Sequence, residues 1–239
     1  MSIKKHIPNS ITSMNLLSGC VASVFAYEGL FFYALLSVLL AAVFDFFDGM
    51  SARLLHVSSN IGKELDSLAD MISFGFAPSM ALFATMKISL PSEYSCVAYM
   101  AFLIAVFSAL RLAKFNIDVR QTSSFIGLAT PANAIFFTSL ISIGDPLTPV
   151  ASYIDRGLFT PILFNPGVWM LFIGIFCYLL VSEIPMFSLK FKNFKWEGNE
   201  VRILFLAVSF LLCVFLQFVA LPFVILLYLM MSVVSGYKK

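Results

Sequence analysis

Eight apolar stretches, at about residues 11–27, 30–54, 62–86, 96–114, 127–144, 167–188, 201–218 and 220–235, leave little of this chain for anything but membrane crossings. A hydrocarbon core of ~30 Å takes ~20 helical residues to cross. Composition agrees: 60% of the 239 residues are hydrophobic and 12% are charged. The mean hydropathy is +0.95, far outside the profile of a soluble domain. The 27 Phe and 11 Met suit lipid-facing and helix-packing surfaces, for which a soluble protein of this length has too little interior. The expected fold is an all-α integral membrane protein of about eight transmembrane helices. Short polar or Gly/Pro turns divide most of them, and Pro222 either starts the last helix or kinks one long segment.

Basic residues test the count, because Lys and Arg in short loops prefer the cytoplasmic side. With eight spans and a cytoplasmic N-terminus, Lys4, Lys5, Arg53, Lys63, Arg111, Lys114, Arg120, Lys190, Lys192, Lys195, Arg202, Lys238 and Lys239 fall inside, and only Lys87 and Arg156 fall outside. An odd count would break this split, so both termini are expected in the cytoplasm. Lys4 and Lys5 precede an apolar run as in a secretory signal, but no small-residue cleavage pattern follows, and the first helix is expected to be retained. A net charge of +2 with scattered basic residues excludes nucleic acid as an expected partner. Cys20, Cys96, Cys177 and Cys213 stand singly in apolar surroundings without CxxC spacing, as small packing residues do. The longest connection, about 145–166, contains Pro146, Pro149, Pro161 and Pro166 and is expected to be an ordered outer loop.

Charges inside apolar helices are costly and mark function by default. Asp45 and Asp48 share a face near the cytoplasmic end of the second helix, with Gly49 and Ala52 leaving that stripe almost without bulk. After a turn through His56, Ser58, Ser59 and Asn60, the third helix starts near Gly62 and carries Asp66 and Asp70 on one face. Four converging carboxylates repel one another unless cations compensate. Hard oxygen donors without Cys or His suit Mg²⁺, Mn²⁺ or Ca²⁺ rather than zinc, and a two-metal arrangement would suit a pyrophosphate donor. A nucleotide could lie against the bare Gly49/Ala52 backbone, with Arg53 paired to phosphate. The competing readings are interhelical polar glue and a cation transport path, but transporter sites sit near the midplane in broken helices of paired halves, whereas these carboxylates gather at one interface.

The pattern Asp45-x2-Asp48-Gly49-x2-Ala52-Arg53-x8-Gly62-x3-Asp66-x3-Asp70 resembles the complete signature of the CDP-alcohol phosphatidyltransferases. The resemblance implies a core of six transmembrane helices, a homodimer, and transfer of a phosphatidyl group from a CDP-linked lipid to an alcohol with release of CMP. It also implies that Asp45 and Asp66 bridge two metals, Mg²⁺ or Mn²⁺, that Asp48 binds one, and that Asp70 binds the other and acts as the base. Gly49, Ala52, Arg53 and Gly62 would belong to the CDP-diacylglycerol site. Pro8-Asn9-x2-Thr12-x2-Asn15 resembles the family's cytidine-contacting segment, which assigns Asn9 and Thr12 to the donor, although such a cluster alone is more often a helix cap. Ser59 is a weaker donor-site candidate. By this likeness residues 1–190 form the catalytic core and residues 191–239 add two C-terminal transmembrane helices.

Around the signature, Asp66-Ser67-Leu68-Ala69-Asp70-x2-Ser73-Phe74-Gly75-x-Ala77-Pro78, Arg111-Leu112-Ala113-Lys114-Phe115-Asn116, Gly127-Leu128-Ala129-Thr130-Pro131-Ala132 and Val181-Ser182-Glu183-Ile184-Pro185 resemble the phosphatidylserine synthase branch. Lys114 stands where Arg is common, and Glu183 where a neutral polar residue is common. L-Serine as acceptor has a carboxylate that needs a cation, and Arg111 near the cytoplasmic end of the fourth helix is placed to supply it, with Lys114 and Asn116 as neighbours. Arg111 would equally serve as a topology anchor. Glycerol-3-phosphate or an inositol phosphate would instead require a denser basic pocket, to which Lys63, Arg111, Lys114 and Arg120 could contribute. Glu183 in the sixth helix either pairs with one of these cations or sits at the interface, and His6 and His56 are expected to be interfacial.

Overall fold

In the computed structural model of the chain, residues 6–57, 59–117, 125–150, 154–187 and 199–236 are described. Of the basic residues used above for topology, Lys4, Lys5, Arg120, Lys190, Lys192, Lys195, Lys238 and Lys239 lie outside them, as does Ser58. The helices are α1 (His6–Tyr27), α2 (Phe31–Leu54), α3 (Asn60–Asp70), α4 (Ala77–Ser89), α5 (Leu103–Ile117), α6 (Thr130–Ser142), α7 (Thr160–Leu163), α8 (Pro166–Val181), α9 (Glu200–Leu216) and α10 (Ala220–Gly236). A π-helical turn, Met71–Phe76, joins α3 to α4, and a 3₁₀ stretch, Ser92–Phe102, leads into α5. Two short extended pairs, Phe125–Ile126 and Pro185–Met186, bond antiparallel at one end of the bundle.

Five helical runs among the described residues are long and apolar enough to cross a bilayer: 6–27, 31–54, 60–89, 92–117 and 200–234. The pair Arg156–Leu163 and Pro166–Val181, bent by 75°, would make a sixth. All eight expected stretches are largely helical, but not all as straight, full-length spans. α6 has 13 residues, ~20 Å of rise, because Ala129 is extended and Pro131 fixes the first turn while the chain turns again at Gly144. The short helix lies almost wholly in the interior, where Phe136 stacks on Phe176 of α8 at 4.2 Å and Phe137 packs on Trp169.

The boundary near Pro222 resolves at Gln217 instead, which has φ 52°. Phe205 and Tyr228 have ring centroids 5.9 Å apart, whereas a straight helix would separate them by ~34 Å. The run 200–234 is therefore a helical hairpin. The expected sixth span is also shorter than anticipated: α8 ends at Val181, so Glu183 is not in a helix but exposed in the turn toward Pro185. Pro185 explains why the helix stops before it.

The expected outer loop is knotted by two charged residues. Asp145 accepts from the Phe32 and Leu147 N–H groups, each at 2.9 Å, and Arg156 donates to the carbonyls of Ile143, Asp145, Pro146 and Thr148. Residues 151–153 of that loop lie outside the described residues.

One stripe of α1 organises the other end. Pro8, Thr12, Asn15, Gly19, Ala22 and Ala26 are buried at helical spacing, and the small residues let α1 approach its neighbours closely, as membrane helices do. A Cβ on Gly19 would stand 2.6 Å from Ser73 Cα and 2.8 Å from its N. Ser73 Oγ donates to the Asn15 carbonyl at 2.9 Å. Gly19→Ala should therefore push α1 off the π-helical turn and destabilise the protein by about 1–3 kcal/mol, read as a lowered thermal midpoint in detergent. An unchanged midpoint would mean that the contact gives way without cost.

Candidate active site

The turn between α2 and α3 fixes the acidic residues relative to one another. His56 takes a left-handed conformation, φ 51°, just past the end of α2, and the Val57 N–H reaches back to the Ala52 carbonyl at 3.1 Å while the His56 N–H bonds Arg53. This is a Schellman closure made without glycine. Ser59 then caps α3, its Oγ accepting from the Gly62 N–H at 2.9 Å. His56 thus acquires a backbone task in addition to its expected interfacial position.

Across this turn the two stripes meet. One carboxylate oxygen from each of Asp45, Asp48 and Asp66 lies within 4.8 Å of the others. Asp70 stands one turn deeper, beside Asp45, and accepts from Asn15 Nδ2 at 3.3 Å. Thr12 Oγ1 donates to Asp48 Oδ2 at 2.7 Å. One oxygen of Asp66 is buried with no hydrogen-bond partner among the described residues, a costly arrangement inside a protein. Donors of hard carboxylate oxygen, convergent and with an unserved atom, fit a divalent cation of the Mg²⁺ or Mn²⁺ kind.

In front of the acids lies a cavity of about 260 Å³ lined by Pro8, Asn9, Thr12, Asp48, Gly49, Ala52, Val57, Ser59, Gly62, Lys63 and Asp66. Asn9, Thr12, Gly49, Ala52, Ser59 and Gly62, all expected at the donor, are gathered here; Arg53 is exposed and does not line it. The two signature glycines differ physically. A Cβ on Gly62 would meet Asn9 Oδ1 and Ser59 Oγ at 2.8 Å, so glycine is needed for packing. At Gly49 a Cβ would meet nothing within 4 Å. The protein makes no packing use of that missing side chain, and the bare backbone faces open space.

The three acceptor candidates part company. Arg111 is buried, with Asp70 and Tyr228 within electrostatic reach and its Nε unpaired among the described residues. Lys114 is exposed and donates to the Val181 carbonyl at 3.3 Å; Asn116 donates to Ser67 Oγ at 2.9 Å and its carbonyl accepts from Lys63 at 3.4 Å. These two hold helix ends together. Asn15 belongs to the expected nucleotide segment, but its bond to Asp70 is seen only in the structure, as is the burial of Asn133. Polar residues at helical spacing within apolar stretches were the available signal for both.

The chain matches the family model described as CDP-alcohol phosphatidyltransferase over residues 5–177. It is 33% identical over 196 residues to a CDP-diacylglycerol–serine O-phosphatidyltransferase of Bacillus subtilis, covering 82% of this chain and 94% of that protein. Proteins of the same name from Methanocaldococcus jannaschii and Helicobacter pylori are 31% and 28% identical, covering 79% and 88% of this chain and 90% and 81% of theirs.

The unserved oxygen of Asp66 generates a prediction independent of turnover. Outer-shell partners of metal ligands alone typically change affinity ~10–100-fold, so Asp66→Asn should weaken Mn²⁺ binding, followed by its paramagnetic resonance signal, by at least about tenfold. Wild-type affinity in the variant would remove Asp66 from the ligand set.

Proposed function

The chain belongs to the CDP-alcohol phosphatidyltransferase family, and from that premise we propose that it transfers the phosphatidyl group of CDP-diacylglycerol to the hydroxyl of L-serine, giving phosphatidylserine and CMP. The observation that carries this reading is the cavity that gathers Asn9, Thr12, Gly49, Ala52 and Gly62 in front of Asp48 and Asp66. Such a pocket suits a nucleotide whose pyrophosphate points at the carboxylate cluster. Serine as acceptor is supported by the names of the relatives and by Arg111, the single buried cation near Asp70 among the described residues. Among the described residues, Lys63 and Lys114 are exposed and engaged with carbonyls, and Arg53 is exposed. A phosphorylated acceptor would call for more basic groups beside Arg111.

In this mechanism Asp45, Asp48, Asp66 and Asp70 would hold two divalent cations, which when bound would supply Lewis-acid stabilisation of charge on the pyrophosphate. The Thr12 hydroxyl fixes the Asp48 carboxylate, and Asn15 holds the Asp70 carboxylate in a defined orientation. Gly49 and Ala52 let the nucleotide approach the α2 backbone, and Arg53 at the rim attracts the anionic donor. The serine hydroxyl attacks the phosphorus bearing the diacylglycerol. Asp70 takes its proton, the new O–P bond forms, and the P–O bond to CMP breaks with its electron pair leaving on CMP. Arg111 faces the serine carboxylate.

The reading extends to a core over residues 1–190 with two added C-terminal helices, a homodimer as the family likeness implies, and an active site at the cytoplasmic face with both termini on that side. The last point is supported by the described cations: Arg53, Lys63, Arg111 and Lys114 belong to the end of the bundle that carries the acids, as does Arg202 near Phe205, which packs on Phe187 beside the extended pair, while Lys87 and Arg156 belong to the other.

Two substitutions separate base from ligand. Asp70→Asn keeps size and one oxygen donor but removes the base, so metal-dependent CDP-diacylglycerol binding should largely survive while serine-dependent CMP release falls ~10²–10⁴-fold. Asp45→Asn should lose donor binding together with turnover, because a shared ligand is weakened. Equal loss of donor binding in both, or near-normal turnover in Asp70→Asn, would refute this division. CMP release from the wild-type chain should also stop in excess chelator and return with Mg²⁺ or Mn²⁺; turnover that persists after verified metal removal would count against the metal assignment.

A further inference from the structure

Hydroxyl side chains in this bundle are generally satisfied by their own helix. Thr138 donates to the Ala134 carbonyl, Ser79 to Gly75, Thr85 to Ala81 and Ser23 to Gly19. Against that habit, besides one oxygen each of Asn15 and Asp66 at the carboxylate site and the Ser209 hydroxyl of α9, four buried polar residues stand out among the described residues. Both amide atoms of Asn133, which is fully buried, lack a hydrogen-bond partner among the described residues, as do the hydroxyls of Thr130 and Ser108 and the Nε of Arg111. Thr130 opens α6 and has no preceding helical turn to bond; Ser108 lies mid-helix in α5 and leaves its oxygen unbonded all the same.

These groups lie at matched depth. Lys114 donates to the Val181 carbonyl, and the Leu128 N–H bonds the Leu179 carbonyl at 2.9 Å. The last turns of α5 and α8 and the entry to α6 therefore meet at one level. Counting inward at ~1.5 Å per residue, Arg111 and Thr130 come first, then Ser108 and Asn133 about one turn further. α5 and α6 each pack on the π-helical turn and on α8, and Ser108 Cβ sits 3.1 Å from where a Cβ on Gly75 of that turn would be. The site's deepest aspartate, Asp70, directly precedes the turn and is the carboxylate within reach of Arg111.

We propose that Thr130 and Asn133, with Arg111 and Ser108, form the seat of the acceptor, binding the polar backbone of a small α-amino acid so that its hydroxyl faces Asp70. The proposal rests on the serine-transfer reading above and adds residues that determine specificity. Asn133 offers one acceptor and two donors, Thr130 and Ser108 each offer both, and Arg111 offers a cation. This set matches an ammonium that needs acceptors and a carboxylate that needs donors. Buried groups left unpaired until a ligand arrives also reject analogues that cannot pair them.

The test uses the full-length chain in detergent with Thr130→Val and Asn133→Leu, measuring kcat and KM for L-serine, CDP-diacylglycerol binding and the thermal midpoint, with ethanolamine and glycerate as analogues lacking the carboxylate and the ammonium. Both variants should raise the serine KM about ten- to hundredfold with donor binding near wild type, and the preference for serine over the two analogues should shrink. Asn133→Leu should keep or raise the midpoint, because an apolar side chain leaves no unpaired polar atoms. An unchanged serine KM in both variants would overturn the proposal. So would a lowered midpoint with lost donor binding in Asn133→Leu, which would make the residue structural. If the wild-type chain releases CMP with a phosphorylated alcohol and not with serine, the acceptor reading fails first and the proposal falls with it.

Discussion

The hydrogen bonds from α1 to the two acidic stripes are the interaction on which the rest of the structure depends. Thr12 binds Asp48 at the end of α2, and Asn15 binds Asp70 at the end of α3. Carboxylates gathered this closely repel one another, so the backbone must hold them in register before any cation arrives. α1 does so by lying against both helices at once, with Gly19 admitting Ser73 at a separation no larger side chain would permit. The wall opposite the acids is the same helix, and its Pro8, Asn9 and Thr12 close the cavity. One buried stripe thus orients the carboxylates and shapes the donor pocket.

The acidic cluster was legible in the sequence because a bilayer makes charge conspicuous. Asp45/Asp48 and Asp66/Asp70 stand at helical spacing in apolar surroundings, and residue type alone separates hard-cation donors from soft ones. The glycines were legible as pattern but not as physics: only coordinates distinguish Gly62, crowded by Asn9, from Gly49, which faces open space. Hydropathy also located the helices but not their ends. α6 is cut short by an extended Ala129 and a turn at Gly144, and the break at Gln217 is a left-handed residue with no glycine to announce it. The apolar run continues past Glu183 and predicts a helix there, whereas Pro185 sets the limit and α8 ends at Val181.

The least legible residues are the polar ones of α6. Thr130 and Thr138 are the same amino acid in the same apolar stretch, yet Thr138 is satisfied by the carbonyl one turn back and Thr130, at the first turn, has none to use. The difference is one of position relative to a helix start that the sequence does not mark sharply. Chemical type alone therefore cannot separate a satisfied interior hydroxyl from one left open.

The π-helical turn Met71–Phe76 decouples two duties that would otherwise compete on one span. An α-helix advances ~100° per residue, so in an uninterrupted helix the azimuth of Asp66 and Asp70 would dictate the azimuth of Ala77, Ala81 and Leu82 in the core below them. The wider turn adds roughly one residue to the winding, giving the acidic segment its own phase while the chain stays continuous. The span behaves as a shaft with a keyed coupling: its lower half can be repacked against α6 without turning the carboxylates, whereas loss of one residue within the coupling would rotate all of them together.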